Sequence, residues 1–489
     1  MPPEQSIDYL ATGPPLVLIA GALAVLVADA FRPRSGLAAG GALTAVLVAL
    51  GVEAVLAANA PLATFCVGAS CSYAVDSFTV LFQVVLLLAG LVVLLLARVE
   101  IRQTRLPAGE FHFLLLAALA GALTLAAGRD LVILVVGLEV VSLPLFALVA
   151  LRRYDGRSTE AGLKMFLVSV TSTAVMLFGI SLVYGATGTM FLDAIGAALR
   201  RPDTPGAVAA AGMVLVLVGF GFKISAVPFH FWTPDTYQGA PVTVAAFLSV
   251  VSKAAGFAGL ILVLTVAFGP LVAVWGPLVA VLAAVTMTLG NLVALRQRTV
   301  MRLLAWSSIA QAGYMLAPLG MAAGVAGTRV PELVAATVGY LAIYAAMSLG
   351  VFAVVSYAGW IGGRGGGEVD DYRGLAGSHP VTALALAFFL ACLAGLPPGL
   401  AGLFAKIVVF RGVLTGGFGA LAVLMVVNTV IGLYYYLAWA SRLFARTGSS
   451  VHFGRMPRPV VAAVLLSGVA TVLMSVLPQL VLGIAPAGG

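Results

Sequence analysis

The chain has 489 residues, of which 62% are hydrophobic and only 9% charged, with a mean hydropathy of +1.12. No water-soluble fold of that length can bury so much apolar side chain, and repeated runs of about 20 apolar residues define a polytopic, all-α membrane protein. The net charge of +8 does not point to nucleic acid, because the arginines are scattered through short segments between apolar runs rather than gathered on one face among aromatics.

The N-terminus, MPPEQSIDYL, has no basic region ahead of its apolar run, so that run reads as a retained span rather than a cleaved signal. Apolar runs between polar or Pro/Gly punctuation predict spans near 15–31, 36–58, 76–97, 110–127, 130–151, 162–185 and 207–234. They continue near 241–268, 271–295, 301–322, 331–358, 380–412, 417–444 and 459–483, which makes about fourteen and puts both termini on one side. Eighteen Lys and Arg fall in segments that follow odd-numbered spans, against five in those that follow even-numbered ones. The positive-inside rule then predicts that both termini face away from the cytoplasm.

Taken in chain order, the first chemistry is Cys66 and Cys71, in one polar segment on the outer side, where a disulfide can persist. A bridge and two separate thiols both fit. Cys392 lies within an apolar span as filler, and three cysteines allow no metal framework. Span 5, DLVILVVGLEVVSLPLFALVAL, carries Glu139 nine residues in from Asp130, which is ~13 Å deep at ~1.5 Å per residue. A carboxylate at mid-bilayer stays charged only beside a cation. Lys223 is the expected partner. A helix-helix hydrogen bonder is the competing reading, although a neutral Gln would serve that purpose at lower cost.

Only four lysines occur, and three of them, Lys223, Lys253 and Lys406, lie within hydrophobic spans; Lys164 sits at the edge of another. A lysine at bilayer depth costs roughly 2.5–3.5 kcal/mol on insertion scales, so each is a functional-site candidate. Lys223 precedes Pro228 in GFGFKISAVPFHFWTPDTYQGAP, and Lys406 follows GLPPG. Proline removes a backbone donor and clashes with the preceding turn, so both helices are expected to break near mid-membrane. Lys253 lies mid-way along span 8, with Ser249 and Ser252 within a turn.

Spans 10 and 11 add Ser307, Ser308, Gln311, Tyr314, Tyr340, Tyr344 and Ser348. Each alone reads as an interhelical hydrogen bonder; together they outline a polar axis between Lys253 and Lys406. His230, in the break after Lys223, can either carry protons or pin the unwound segment, and Asp235 reads as a helix cap. The GGRGGGEVDDYRGL segment is a flexible linker with solvated charge. No Gly-rich phosphate loop, iron–sulfur cysteine cluster or paired haem histidines occurs, so no redox centre, cofactor or metal is expected in this chain.

Two broken helices five spans apart suggest a duplication in which spans 4–8 and 9–13 are inverted repeats. The corresponding domains are 1–105 (peripheral helices 1–3), 106–268 and 269–445 (the two repeats), and 446–489 (the C-terminal helix).

The runs GFGFKISAVPFHFWTPDTYQGAPVTVAAFLSVVSKAA, MRLLAWSSIAQAGYML, DDYRGLAGSHP and FFLACLAGLPPGLAGLFAK resemble subunit N of bacterial respiratory complex I, the proton-pumping NADH:quinone oxidoreductase. The likeness covers spans 4–13 densely, and PDTYQGAP resembles subunit N rather than its sister antiporter-like subunits. It implies fourteen spans, the inverted repeats, and proton transfer by Glu139, Lys223, Lys253 and Lys406; Gln311, Ser308, Tyr344 and His230, from the polar residues above, are the relay candidates. It also implies a bacterial plasma-membrane location and partners among the other membrane subunits and lipids. Flavin, iron–sulfur clusters and quinone would then lie in partner subunits. Two positions depart from the family pattern: Gln311 stands where many relatives carry His, and Ala438 where relatives often carry Arg, with Arg442 one turn later. A subunit of a multi-subunit cation/proton antiporter and a structural membrane spacer are the competing readings.

Overall fold

The computed structural model describes residues 7–32, 35–152, 154–358, 366–446 and 455–479. Arg34, Arg153, Arg364, the first six residues and the start of the Gly-rich linker (362–365) lie outside them; the rest of that linker is not free but folded onto the bundle, with Tyr372 buried and Asp370 paired with Arg442. The first long helices are α1 (Gly13–Phe31), α2 (Ser35–Asn59), α3 (Ser77–Thr104), α4 (Ala108–Ala127), α5 (Leu131–Val149) and α6 (Gly156–Thr187). Short α7 (Leu192–Ala198) leads to α8 (Gly206–Ile224), then α9 (Trp232–Gly239). One rod follows: α10 (Val242–Phe247) and α11 (Lys253–Leu262), joined by a π-turn at Leu248–Ser252 and extended by another at Val263–Ala267. After it come α12 (Val272–Ala294), α13 (Val300–Leu319), α14 (Val330–Ala358) and short α15 (Leu375–Ser378). The split pair α16 (Pro380–Ala394) and α17 (Leu400–Thr415), then α18 (Gly419–Leu443) and α19 (Arg458–Val476), complete the bundle.

Acids placed just before apolar runs start several helices. Asp76 accepts from the N–H of Thr79 at 2.9 Å, Asp130 from that of Ile133 at 2.7 Å and Asp155 from that of Arg157 at 3.0 Å. The Asp155 cap starts α6 six residues before the predicted span, so Lys164 lies inside that helix. Twelve of the described helices are long and apolar enough to cross a membrane, counting the π-interrupted rod as one. The two predicted spans outside that set are α13, diluted by Arg302, Ser307, Ser308 and Gln311, and the α16/α17 pair, divided at GLPPG. Helix association here depends on small side chains: at the α6–α8 crossing, a Cβ on Gly179 would meet the Gly212 carbonyl oxygen at 2.6 Å.

The Cys66–Cys71 segment is an antiparallel hairpin, β1 (Leu62–Val67) and β2 (Ser70–Val75), instead of an irregular loop. The two cysteines sit directly opposite and are disulfide-bonded. The hairpin docks at one end of the bundle through a bridge from Tyr73 to Gly128. The opposite end gathers the arginines: Arg152 pairs with Glu100 at 3.2 Å, Arg302 with Asp235 at 2.9 Å and Arg442 with Asp370 at 2.7 Å.

Candidate functional site

Both helix breaks are built alike. At the end of α8, Ser225 takes a left-handed conformation (φ 62°) and the Ala226 N–H reaches back to the Gly221 carbonyl at 2.9 Å. At the end of α16, Gly395 does the same (φ 82°), and the Leu396 N–H bonds the Ala391 carbonyl at 3.0 Å. Backbone freed at that depth needs other partners. In the first break, the Val227 N–H donates to Thr286 Oγ1 at 3.0 Å, and the Trp232 indole donates to the Phe222 carbonyl at 3.2 Å. In the second, Lys406 reaches across from α17 and donates to the Ala394 carbonyl at 2.6 Å, placing a cation on the C-terminal end of α16.

Lys223 is 2% exposed in the last turn of α8 and donates to Ser142 Oγ at 2.8 Å. Ser142 lies one turn along α5 from Glu139, whose Oε1 accepts from Thr173 Oγ1 at 2.5 Å. Among the described residues, Glu139 and Lys223 form no direct ion pair; hydroxyls occupy the contact positions of both. The stem of Lys223 lies over Gly256, where a Cβ would meet its Cγ at 2.9 Å. Any larger residue there would displace the lysine. Gly256 is three residues beyond Lys253, so Lys223 packs within one turn of Lys253 on the helix that carries it.

Lys253 follows the π-turn at Leu248–Ser252, a local rewinding found often at functional positions. It is 1% exposed. Its Nζ donates to Ser308 Oγ and to the Ser308 carbonyl, both at 2.5 Å, and lies 5.6 Å from the centre of the Tyr344 ring. Tyr344 Oη donates to Ser308 Oγ at 3.0 Å and shares a bond with Ser249 at 2.7 Å. The expected contacts from Ser249 and Ser252 are therefore not to the amine: Ser249 serves Tyr344 and Ser348, and the Ser252 hydroxyl has no hydrogen-bond partner among the described residues.

One turn beyond Ser308, Gln311 accepts from Tyr340 Oη at 2.5 Å and donates to Tyr436 Oη at 3.3 Å. Tyr436 also bonds Ser307. Tyr340 stacks on Tyr314 with ring centres 6.2 Å apart, and Lys406 Nζ lies 5.8 Å from the Tyr314 ring centre. The predicted relay residues Ser308, Gln311 and Tyr344 thus lie together between the two lysines. His230 does not join them; its ring packs against Trp306 with ring centres 5.3 Å apart.

Sequence reasoning missed Ser142, Thr173 and Tyr436 as partners, although Ser142 is one helical turn from Glu139. It also missed Glu100, 2% exposed on α3. Glu100 accepts from the N–H groups of Val242 and Thr243, each at 2.9 Å, and so caps the rod that carries Lys253. Asp235 is no helix cap: it bridges Lys164 at 2.8 Å and Arg302 at 2.9 Å. No group of three His, Cys, Asp or Glu suited to a metal occurs among the described residues.

Apolar helices enclosing a line of lysines, two of them at helix breaks, define an antiporter-like polytopic membrane protein. Residues 128–432 match the family model described as NADH:quinone oxidoreductase/Mrp antiporter, TM. The chain is 50% identical to NADH-quinone oxidoreductase subunit N 2 of Streptomyces griseus, over 98% of this chain and 94% of that one. A chain in the structure of respiratory complex I from Thermus thermophilus with bound aureothin superposes with a TM-score of 0.79 at 33% identity, covering 97% of this chain and all of that one. The Mrp complex from Dietzia shares the fold, with a TM-score of 0.82 at 21% identity over 98% of this chain and 96% of that chain. The chain belongs to the NADH:quinone oxidoreductase/Mrp antiporter membrane family, in its subunit N branch.

Proposed function

We propose that the chain is the proton-translocating subunit N of a bacterial NADH:quinone oxidoreductase. The observation that carries the reading is the line of polar side chains between the two lysines: Lys253, Ser308 and Tyr344 hydrogen-bonded in one cluster, Gln311, Tyr340 and Tyr436 in the next, one helical turn along α13, and the Tyr314 ring beside Lys406. Quinone reduction in partner subunits, which would hold the flavin, iron–sulfur clusters and quinone, changes the field at Glu139 and Lys223. That change is felt at Lys253, which takes a proton from the cytoplasmic side and passes it toward Lys406 for release outward. A pKa change of two at Lys253 supplies about 2.7 kcal/mol. Moving one charge against 100 mV costs about 2.3 kcal/mol, so the switch is of the right size.

The repeats 106–268 and 269–445 would be inverted copies with matching breaks, flanked by 1–105 and 446–489, in the plasma membrane among sister antiporter-like subunits and lipid. The arginine-rich end would face the cytoplasm, and the hairpin end and both termini would face outward. The test is NADH:quinone turnover and pH-gradient formation in membrane vesicles, normalised to assembled complex. Lys253→Ala and Lys406→Ala lower both with assembly intact, and Lys253→Arg does not rescue, because guanidinium stays protonated. Native pumping by the assembled Lys253→Arg complex overturns the deprotonation cycle. Co-purification of NADH-oxidising subunits separates this reading from a cation/proton antiporter subunit, and a spacer predicts that the lysine variants alter assembly alone.

A further inference from the structure

We propose that the second half of the chain has its own proton access from the arginine-rich end, running from a polar cavity through Tyr435 and Tyr436 to Gln311 and bypassing Lys253. The inference rests on the proton-carrying function above. A cavity of about 270 Å³ opens between α12, α18 and the 366–372 segment, lined by Gln297, Arg298, Glu368, Asp370, Tyr435 and Ala438. That volume holds several waters, and the lining offers each of them polar partners.

The cavity is a constructed feature rather than a surface dent. The Val300 N–H bonds the Gly367 carbonyl at 3.1 Å, and the Val369 N–H bonds the Arg298 carbonyl at 2.8 Å, which fixes the 366–372 segment as a roof over the α12–α13 turn. Arg442 closes the side by donating to Asp370 at 2.7 Å and to the Ala438 carbonyl at 2.9 Å. The floor is Tyr435, 5% exposed. Its hydroxyl donates to Asn291 Oδ1 at 3.0 Å, and its ring packs on that of Tyr436 with ring centres 4.5 Å apart. Tyr436 bonds Ser307 and accepts from Gln311, at the middle of the axis. Each hydroxyl can accept one proton while giving up another, so water in the cavity is linked to Gln311 without passing Lys253. The route reaches the Tyr340–Tyr314–Lys406 side of the axis from the same end of the bundle that serves Lys253. The two lysines then load in parallel rather than strictly in series.

The test uses the complete complex in inverted membrane vesicles. An Ala438→Cys thiol should react with a membrane-impermeant cationic methanethiosulfonate from the arginine-rich face, and labelling should lower pH-gradient formation several-fold relative to the same unlabelled variant. Tyr435→Phe, which keeps the cavity but removes the hydroxyl, should lower pumping several-fold. The residual pumping of Lys253→Ala should vanish when Tyr435→Phe is added. The proposal is overturned if the thiol is unreactive from that face in assembled complex, or if labelled Ala438→Cys and Tyr435→Phe both pump at the parent rate. Either result leaves the proposed function standing; that function fails separately if Lys253→Ala and Lys406→Ala pump natively.

Discussion

Lys253 and Ser308 are joined twice, the ammonium donating to both the hydroxyl and the backbone carbonyl of one residue at 2.5 Å. Ser308→Ala removes the hydroxyl, which also accepts from Tyr344, and leaves the carbonyl as the amine's only hydrogen-bond acceptor among the described residues. An unsatisfied buried partner costs about 1–3 kcal/mol. Ser308→Ala should therefore lower pH-gradient formation less than Lys253→Ala does, with normal amounts of assembled complex. Pumping equal to the parent would remove Ser308 from the path.

Glu139 and Lys223 are each held by a hydroxyl from a neighbouring helix, and the proposed mechanism couples their charges through space. Glu139→Gln and Lys223→Ala should each lower coupled turnover, and the double variant should be no worse than the worse single one, because both remove one electrostatic relation. Additive losses in assembled complex would show that the two work independently.

Glu100 holds two backbone amides, the Thr243 hydroxyl and Arg152. Glu100→Ala leaves the start of the rod uncapped and a guanidinium unpaired; breaking such a buried pair costs about 3–5 kcal/mol. The expected outcome is a marked fall in assembled complex and in its thermal stability. Glu100→Gln, which keeps one acceptor oxygen, should recover part of it. Unchanged melting of both variants would refute the cap.

Asp235 supplies the pH dependence. Burial pushes its carboxyl up, but hydrogen bonds and charge from Lys164 and Arg302 outweigh burial and hold it below the usual carboxylate range. A depressed folded pKa means stability that is present above the unfolded value and lost as pH falls through the folded one. The stability difference between the native chain and Asp235→Asn should be small, since the ion pairs are partly exposed, and flat across the neutral range. A difference that grows between weakly acid and neutral pH would contradict this assignment.

The Cys66–Cys71 bridge closes a short loop, so reduction should change stability little. Mass spectrometry of the unreduced hairpin peptide should find it two mass units lighter than the dithiol. After reduction, an impermeant thiol reagent should reach the pair from outside intact cells. Labelling only from the cytoplasmic side would invert the proposed orientation.

The breaks at Lys223 and Lys406 were legible because Pro and Gly disturb a helix wherever they fall. The axis residues were legible because polar side chains stand out within apolar spans. The hairpin was not, since twelve residues of mixed polarity carry no clear alternation. Hydroxyl partners such as Thr173 and Ser142 were also hidden, because serine and threonine occur in many membrane helices and their pairing depends on tertiary register. Glu100 left one trace: α10 starts after Ala240–Pro241 with no Ser, Thr, Asp or Asn to cap it, so its first amides required an acceptor from elsewhere.

Lys164, Lys253 and Lys406 fall into two kinds by the company they keep. Lys164, with Glu160 at 2.7 Å and Asp235 at 2.8 Å, is locked into its charge by carboxylates. Lys253 and Lys406 meet carbonyls, a hydroxyl and the faces of tyrosine rings, and among the described residues neither forms an ion pair. Neutral acceptors bind an ammonium, yet a neutral amine still has N–H groups to donate to them. The contacts that position these two side chains therefore survive loss of the proton. Each can be emptied and refilled without its helix letting go, a condition for a carrier that must return to the same place every cycle.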